Sequence, residues 1–125
     1  MTSSRIAATM AVLILVLAAL VRAADPSGRW TATFTTDVGE QQYTFEFRVK
    51  GTTLTGTAKS NLLGETELQE GKVDGDKISF VENANFQGMP LKITYSGTMT
   101  SADEIAFTRN VADLANEKLV TKRVK

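Results

Sequence analysis

The most constraining feature of the chain is a strict two-residue alternation of apolar and polar side chains between Gln42 and Lys50. The apolar residues at every second position are Tyr43, Phe45, Phe47 and Val49. Because successive side chains of a β-strand point to opposite faces, this pattern predicts a strand with one buried and one solvated face. Similar alternation recurs along the chain from Gly28 nearly to its end, which favours an all-β fold.

Turn-forming residues divide the alternating pattern into eight short strands. The predicted ranges are Gly28–Thr36, Gln42–Lys50, Thr52–Ser60, Glu65–Val73, Lys77–Glu82, Pro90–Thr100, Glu104–Asn110 and Glu117–Val124. Leu68 and Val73 are both apolar but differ in parity, which predicts a bulge near Gly71. Consecutive strands with short links predict an eight-stranded antiparallel up-and-down meander, closed or nearly closed as a barrel. A flattened sandwich is the alternative.

The two ends of such a meander differ, because alternate links lie at the same end. One end has the short links Lys50-Gly51, Asp74–Asp76 and Ser101–Asp103. The other end has the longer links Asp37–Gln41, Asn61–Gly64, Asn83–Met89 and Val111–Asn116. Binding residues tend to lie on loops that a rigid sheet positions, so the looped end is the predicted mouth.

Polar side chains continue the inward-facing parity of two strands at the looped end. These are Glu82, beyond Phe80, and Arg109, beyond Phe107. We predict a ligand site at the rim and lumen, formed by Tyr43, Glu82, Tyr95 and Arg109. The alternative for the two tyrosines is that they belong to the core. The alternative for the charged residues is that they form a solvated rim with a weak Glu82–Arg109 pair.

The predicted interior has both small and large side chains. Gly56, Ala58 and Gly97 are expected to leave room on the inner face, and six aromatic residues consume it: Tyr43, Phe45, Phe47, Phe80, Tyr95 and Phe107. The lumen of an eight-stranded barrel is either filled by side chains or just open to one small ligand. Composition alone therefore leaves both outcomes open.

Composition excludes much catalytic chemistry. The chain has no cysteine and no histidine, which removes thiolate nucleophiles, His-dependent triads and the usual zinc ligands. The acidic residues Glu65, Glu67 and Glu70 lie on one predicted strand and indicate a solvated face rather than a glycosidase pair with Glu82. We expect no enzyme activity, no cofactor and no metal site. A near-neutral charge balance, with 14 basic and 14 acidic residues, gives no basic face for nucleic acid.

The first 23 residues have the pattern of a secretory signal peptide. Arg5 precedes an apolar run from Ile6 to Val21, and Val21-Arg22-Ala23 resembles a signal-peptidase site. The alternative is an uncleaved anchor, but the run is shorter than the roughly 20 residues of a spanning helix. We therefore expect a signal peptide over 1–23, a single β-barrel domain over 24–125, and a secreted or periplasmic monomer with no membrane span after cleavage.

Two terminal motifs resemble those of the calycins, the group of lipocalins, fatty-acid-binding proteins and avidins. Gly28-Arg29-Trp30 lies on the first strand and Arg123 on the last. The resemblance implies that Trp30 packs against Arg123 at the closed end, with Gly28 beside them, so that these three residues close the barrel. The avidin biotin-site pattern is not recognisable, so no biotin binding is implied.

A longer pattern is similar to small secreted bacterial β-barrel proteins of uncharacterised function. It comprises Gly28–Trp30, Leu54–Thr57, Gly71–Phe80, Tyr95–Thr98, Phe107–Arg109 and Lys122–Val124. This resemblance covers most of the chain after residue 24 and implies a fold and a compartment, but no activity. Together these features favour a non-enzymatic binding protein for a small, largely apolar ligand in the lumen. The alternative is a filled-core interaction module that binds an envelope protein, a protease or a glycan through its loops.

Overall fold

The computed structural model describes residues 25–125, and the predicted signal peptide lies outside them. The strands are β1 (Gly28–Thr36), β2 (Gly39–Lys50), β3 (Thr53–Ser60), β4 (Gly64–Asp74), β5 (Lys77–Phe86), β6 (Met89–Ser101), β7 (Glu104–Val111) and β8 (Ala115–Arg123). They form a closed barrel in chain order, and every neighbouring pair is antiparallel. The predicted up-and-down barrel is confirmed, and the flattened sandwich is wrong. No helix in this part of the chain is long and apolar enough to cross a bilayer.

The predicted longer links at the looped end, Asp37–Gln41, Asn61–Gly64, Asn83–Met89 and Val111–Asn116, are wrong, because the strands on either side of them are longer than predicted. These links have two or three residues, and those at the other end have two. The largest change is at Asn83–Met89. β5 continues to Phe86 and β6 begins at Met89, so only Gln87 and Gly88 form the turn. Both turn residues have positive φ, 52° and 84°, as expected for a two-residue hairpin that follows the twist of its strands. The apolar–polar alternation of β5 continues through Ala84, which is buried.

The bulge predicted near Gly71 is present. The β4–β5 register shifts between Gln69 and Lys72, and Glu70 within it has a φ of 52°. A side chain at position 71 would lie 2.0 Å from the carbonyl oxygen of Leu54 on β3, so glycine is needed for this close approach. The extra residue lets Leu68 and Val73 both face the core.

Aromatic side chains fill the centre of the barrel. The Phe45 ring lies 5.2 to 5.9 Å from the rings of its four nearest aromatic neighbours, which are Tyr43, Phe47, Phe80 and Tyr95. The expected space at Gly97 is taken by Phe107, whose ring would lie 2.4 Å from an added Cβ atom. An added Cβ at Gly56 would meet the backbone of Glu46 at 1.7 Å. The prediction that these glycines leave room is wrong, because neighbouring groups pack directly against them.

Trp30 and Arg123 lie together at the end with the short links. The Arg123 guanidinium is 4.4 Å from the centre of the Trp30 ring, and the Trp30 indole donates to the carbonyl of Pro26 at 2.8 Å. Arg123 also donates to three backbone carbonyls, those of Asp25, Ser27 and Ala102. A side chain at Gly28 would meet Arg123 at 2.9 Å. These contacts join the beginning and the end of the barrel.

The junction between β1 and β8 is paired only next to this closed end. Its register consists of Trp30↔Arg123 and Thr31↔Lys122, whereas β1 and β2 pair along the whole of β1. Nearer the looped end, a groove of about 570 Å³ separates the two strands, with Thr33 and Phe34 on one side and Lys118 and Val120 on the other. The barrel is therefore closed by a short seam.

We expect hydrogen exchange to alternate along this seam. The Arg29 carbonyl accepts from the Val124 amide, so the same-parity amides of Thr33 and Thr35 point towards β8, where they have no ladder partner. These two amides should exchange faster than those of Ala32 and Phe34, which point to β2. Residue-resolved exchange by NMR measures this; equal protection at all four positions would show that the seam is paired along its length.

Candidate functional site

The four residues predicted as a ligand site come together in one layer near the looped end. Tyr43 lies on β2, Glu82 on β5, Tyr95 on β6 and Arg109 on β7, and all four side chains point into the barrel. Tyr95 and Arg109 are direct partners in the β6–β7 register. None of the four exposes more than 2% of its surface. We call these residues the polar layer.

Each tyrosine hydroxyl of the polar layer joins the glutamate to the arginine. The Tyr95 hydroxyl donates to Glu82 at 2.7 Å, and the Tyr43 hydroxyl donates to both oxygens of the same carboxylate at 3.0 Å. Nη1 of Arg109 donates to both hydroxyls, at 3.1 Å to Tyr43 and 2.9 Å to Tyr95. Both tyrosines are therefore saturated as donors and occupied as acceptors, which holds the two buried charges in fixed positions.

Arg109 has two further partners on the side of the layer that faces the looped end. Nε donates to Glu117 at 2.7 Å, and Nη2 donates to the side-chain oxygen of Gln41 at 3.2 Å. Gln41 in turn donates to Thr36 at 3.0 Å. The Phe34 ring lies 4.8 Å from the guanidinium and covers it.

The alternative of a solvated rim with a weak Glu82–Arg109 pair is wrong. Both side chains are buried, the tyrosine hydroxyls lie between them, and the carboxylate that pairs with Arg109 is that of Glu117. The reason is the extra length of β5, which continues four residues beyond Glu82 and moves the true rim outward.

Sequence reasoning missed Gln41 and Glu117, although the parity of their strands indicates both. Gln41 continues the inward series of Tyr43 and Phe45 on β2, and Glu117 continues that of Leu119 and Thr121 on β8. The turn pattern places Gln41 in a link, and the predicted range of the last strand only begins at Glu117. A rule that extends inward parity past the last apolar residue would have found both.

Burial dominates the protonation equilibria of Glu82, Tyr43 and Tyr95. It raises the pKa of Glu82 above its usual value, although the hydrogen bonds from Tyr95 and Tyr43 and the charge of Arg109 act in the opposite direction. Burial, together with the Glu82 charge, raises the pKa of Tyr43 to about 12 and that of Tyr95 well above its usual value. Both tyrosines therefore stay protonated at neutral pH and act as donors to Glu82.

A cavity of about 250 Å³ lies above the polar layer and opens at the looped end. We call it the cup. Arg109, Gln41 and Glu117 form its floor, since they belong to or directly contact the polar layer. The apolar residues of its wall are Val38, Leu63, Phe86, Met89, Leu91, Ile93, Val111, Leu114 and Ala115. Of the four predicted site residues, only Arg109 reaches the cup.

Exposed aliphatic side chains surround the cup. One lies in or beside each of the four links at this end: Val38, Leu62, Met89 and Leu114. Their exposed fractions run from 38% to 78%, and Leu114 is the most exposed. Exposed apolar groups clustered around a concave site are typical of binding surfaces. We call these four residues the apolar rim.

Comparisons with known proteins establish the barrel fold. No protein-family model matches the chain, and no curated protein is a significant match. A solved structure of a redesigned β-barrel is similar, with a TM-score of 0.55 and 16% sequence identity over 79% of this chain and 90% of that one. Similarity at this identity defines the class of the protein, an eight-stranded antiparallel β-barrel, and carries no activity with it.

Replacing Glu82 with glutamine tests the protonation of the polar layer. Because burial raises the pKa of Glu82 on folding, its contribution to the free energy of unfolding is full below the usual pKa of 4.5. That contribution falls as the pH rises towards the raised pKa, by at most about 1.4 kcal/mol per pH unit. We expect Glu82→Gln to lack this fall, so the stability of the native protein relative to the variant declines over that interval.

Urea denaturation at a series of pH values above and below 4.5 measures this difference. Glu46→Gln is the matched replacement outside the barrel, because Glu46 is exposed and pairs only with the exposed Arg29; it should cost at most about 1 kcal/mol. If instead the free energy of unfolding of the native protein, relative to that of Glu82→Gln, rises with pH over this interval, the assignment is contradicted.

Proposed function

We propose that this chain is a secreted, calycin-like binding protein without enzyme activity, and that it holds the end of a small, largely apolar molecule in the cup. The observation that carries the proposal is a cavity with apolar walls above a fixed polar floor. Binding sites for small molecules have this composition: a mostly apolar lining with a few placed polar groups. The signal-like sequence of residues 1–23 supports secretion, and the Trp30–Arg123 contact supports the calycin-like assignment.

The packing of the barrel restricts where such a ligand lies. Below the polar layer, the space is occupied by the rings around Phe45, and both the tyrosines and the charged residues of the layer are held by hydrogen bonds. A lumen site of the kind expected from sequence would require these groups to move. The ligand therefore enters from the looped end and stops at Arg109 and Glu117.

The size of the cup indicates partial enclosure. Its volume of about 250 Å³ is just below the roughly 300 to 1,000 Å³ of pockets that enclose a drug-sized molecule. A ring or a short chain fits within the cup, and the remainder of the molecule lies against the apolar rim. Burying a few methylene groups there contributes about 0.8 kcal/mol each, which supports binding of moderate strength.

A second candidate is an interaction module that binds an envelope protein, a protease or a glycan through its links. The observation that favours it is the apolar rim, in which four exposed aliphatic side chains lie in or beside four separate links, above the aromatic residues that fill the centre of the barrel. In that case the cup would receive a single side chain of the partner, as binding pockets at interfaces commonly do.

A bulky residue in the cup separates the two candidates. Leu91→Trp fills part of the cup wall, whereas Val120→Trp adds the same ring on the exposed outer face of β8. With a neutral naphthylamine dye, whose fluorescence rises in apolar surroundings, we expect Leu91→Trp to weaken binding at least about tenfold, a loss of about 1.4 kcal/mol. We expect Val120→Trp to bind the dye as the native protein does.

Charge on the rim provides a second comparison. Val38→Asp places a carboxylate beside the cup, and Val124→Asp makes the same change at a similarly exposed position at the closed end. Dye affinity should fall for the first and stay unchanged for the second. No binding of the dye to the native protein would contradict a small-molecule site and leave the interaction module as the better candidate.

A further inference from the structure

The hydrogen bonds of the cup floor leave a carboxylate, rather than the arginine, as the main polar group available to a ligand. Four of the five N–H groups of Arg109 are engaged, by Glu117, Gln41 and the two tyrosine hydroxyls. One oxygen of Glu117 accepts from Arg109, while its second oxygen has no hydrogen-bond partner among residues 25–125. The Glu117 side chain is 19% exposed and lines the cup.

The charges around the cup favour a cation. Three ionisable residues line it: Asp37, Arg109 and Glu117. Arg109 is already paired with Glu117. On its other side, Arg109 is connected to Glu82 through the two tyrosine hydroxyls of the polar layer. The four links of the looped end contribute Asp37 and Asp113 but no lysine or arginine. An anionic group entering the cup would therefore approach carboxylates that the single arginine does not outweigh.

We propose that the cup selects an apolar amine: a molecule whose protonated amino group binds Glu117 at the floor and whose hydrocarbon part lies against the wall. This inference rests on the proposed function and adds the chemical class of the ligand. An ammonium group supplies donors for the unpartnered oxygen of Glu117, and Gln41 lies beside it on the floor. Leu63, Leu91 and Val111 provide apolar contacts on the path to the rim.

Partial burial is what makes this discrimination effective. The floor lies below the strand ends of β5 and β6, and the Glu117 side chain is only 19% exposed there. A hydrogen bond between charged groups is worth more in such surroundings than in water. A carboxylate in the same place would instead have to displace Glu117 from Arg109.

Three ligands with the same hydrocarbon chain test the inference: decylamine, decanol and decanoate, each titrated into the protein produced from the full chain. Displacement of the neutral naphthylamine dye measures the affinities. We expect decylamine to bind about tenfold tighter than decanol and decanoate to bind weakest, because a hydrogen bond between charged groups is stronger than one from a neutral hydroxyl. Added salt should reduce the advantage of the amine.

Variants assign the preference to one carboxylate. Glu117→Gln should lower the affinity for decylamine about tenfold and abolish its advantage over decanol. Asp113→Asn removes the same charge from a link at this end without changing the cup lining, so it should keep the ranking. The ranking with the native protein tests the proposal even if Glu117→Gln fails to fold.

The outcomes separate this inference from the proposed function. If all three ligands bind equally, or if decanoate binds best, selection for amines is overturned while the binding function stands. If none of the three displaces the dye and the dye itself does not bind, the binding function falls, and the inference falls with it. A preference for decylamine that survives Glu117→Gln would overturn the assignment to Glu117.

Discussion

The hydrogen-bonded assembly of Glu82, Tyr43, Tyr95 and Arg109 is the constraint on which the interior of the barrel depends. A buried carboxylate and a buried guanidinium each carry a large desolvation cost, which only good geometry and further hydrogen bonds offset. Both tyrosine hydroxyls donate to Glu82 and accept from Arg109, and Arg109 also donates to Glu117 and Gln41. Removing Arg109 would leave the buried Glu82 carboxylate without an opposite charge nearby, which costs about 3 to 5 kcal/mol in comparable sites. The polar layer therefore fixes the relative positions of β2, β5, β6 and β7, and the Arg109–Glu117 pair adds β8.

The polar layer divides the interior of the barrel into a filled region and an open one. Towards the short links, aromatic rings and the Trp30–Arg123 stack fill the interior and join the first strand to the last. Towards the looped end, the walls remain apolar while the space is open, which leaves the cup and its rim. The barrel closes through two residue pairs between β1 and β8, both near Trp30. A rigid lower half thus supports an accessible upper half, and the polar layer is the boundary between them.

Sequence alone predicts the fold well and the site only in part. Apolar–polar alternation and turn residues predict all eight strands, and a parity change at Leu68 and Val73 predicts the bulge that places Gly71 against Leu54. The failures come from distances between strands, which parity does not contain. Gly56 and Gly97 were expected to leave room, yet Phe107 and the backbone of Glu46 occupy it. Glu82 was predicted inward but at the rim, since the continuation of β5 to Phe86 depends on pairing with β6. The bridging role of the tyrosine hydroxyls is not predicted, because it depends on distances between side chains that lie on different strands.

The measurement that tests this account most directly is a methyl NMR titration with a neutral apolar ligand such as decanol. If the polar layer is the floor of the site, the methyl signals of Leu63, Leu91 and Val111 in the cup shift with saturation. The signals of Leu54, Ile78 and Ile105, which lie near the short links, stay unchanged. Shifts in both sets would show that the ligand passes the polar layer into the lumen, and would contradict the division of the barrel proposed here.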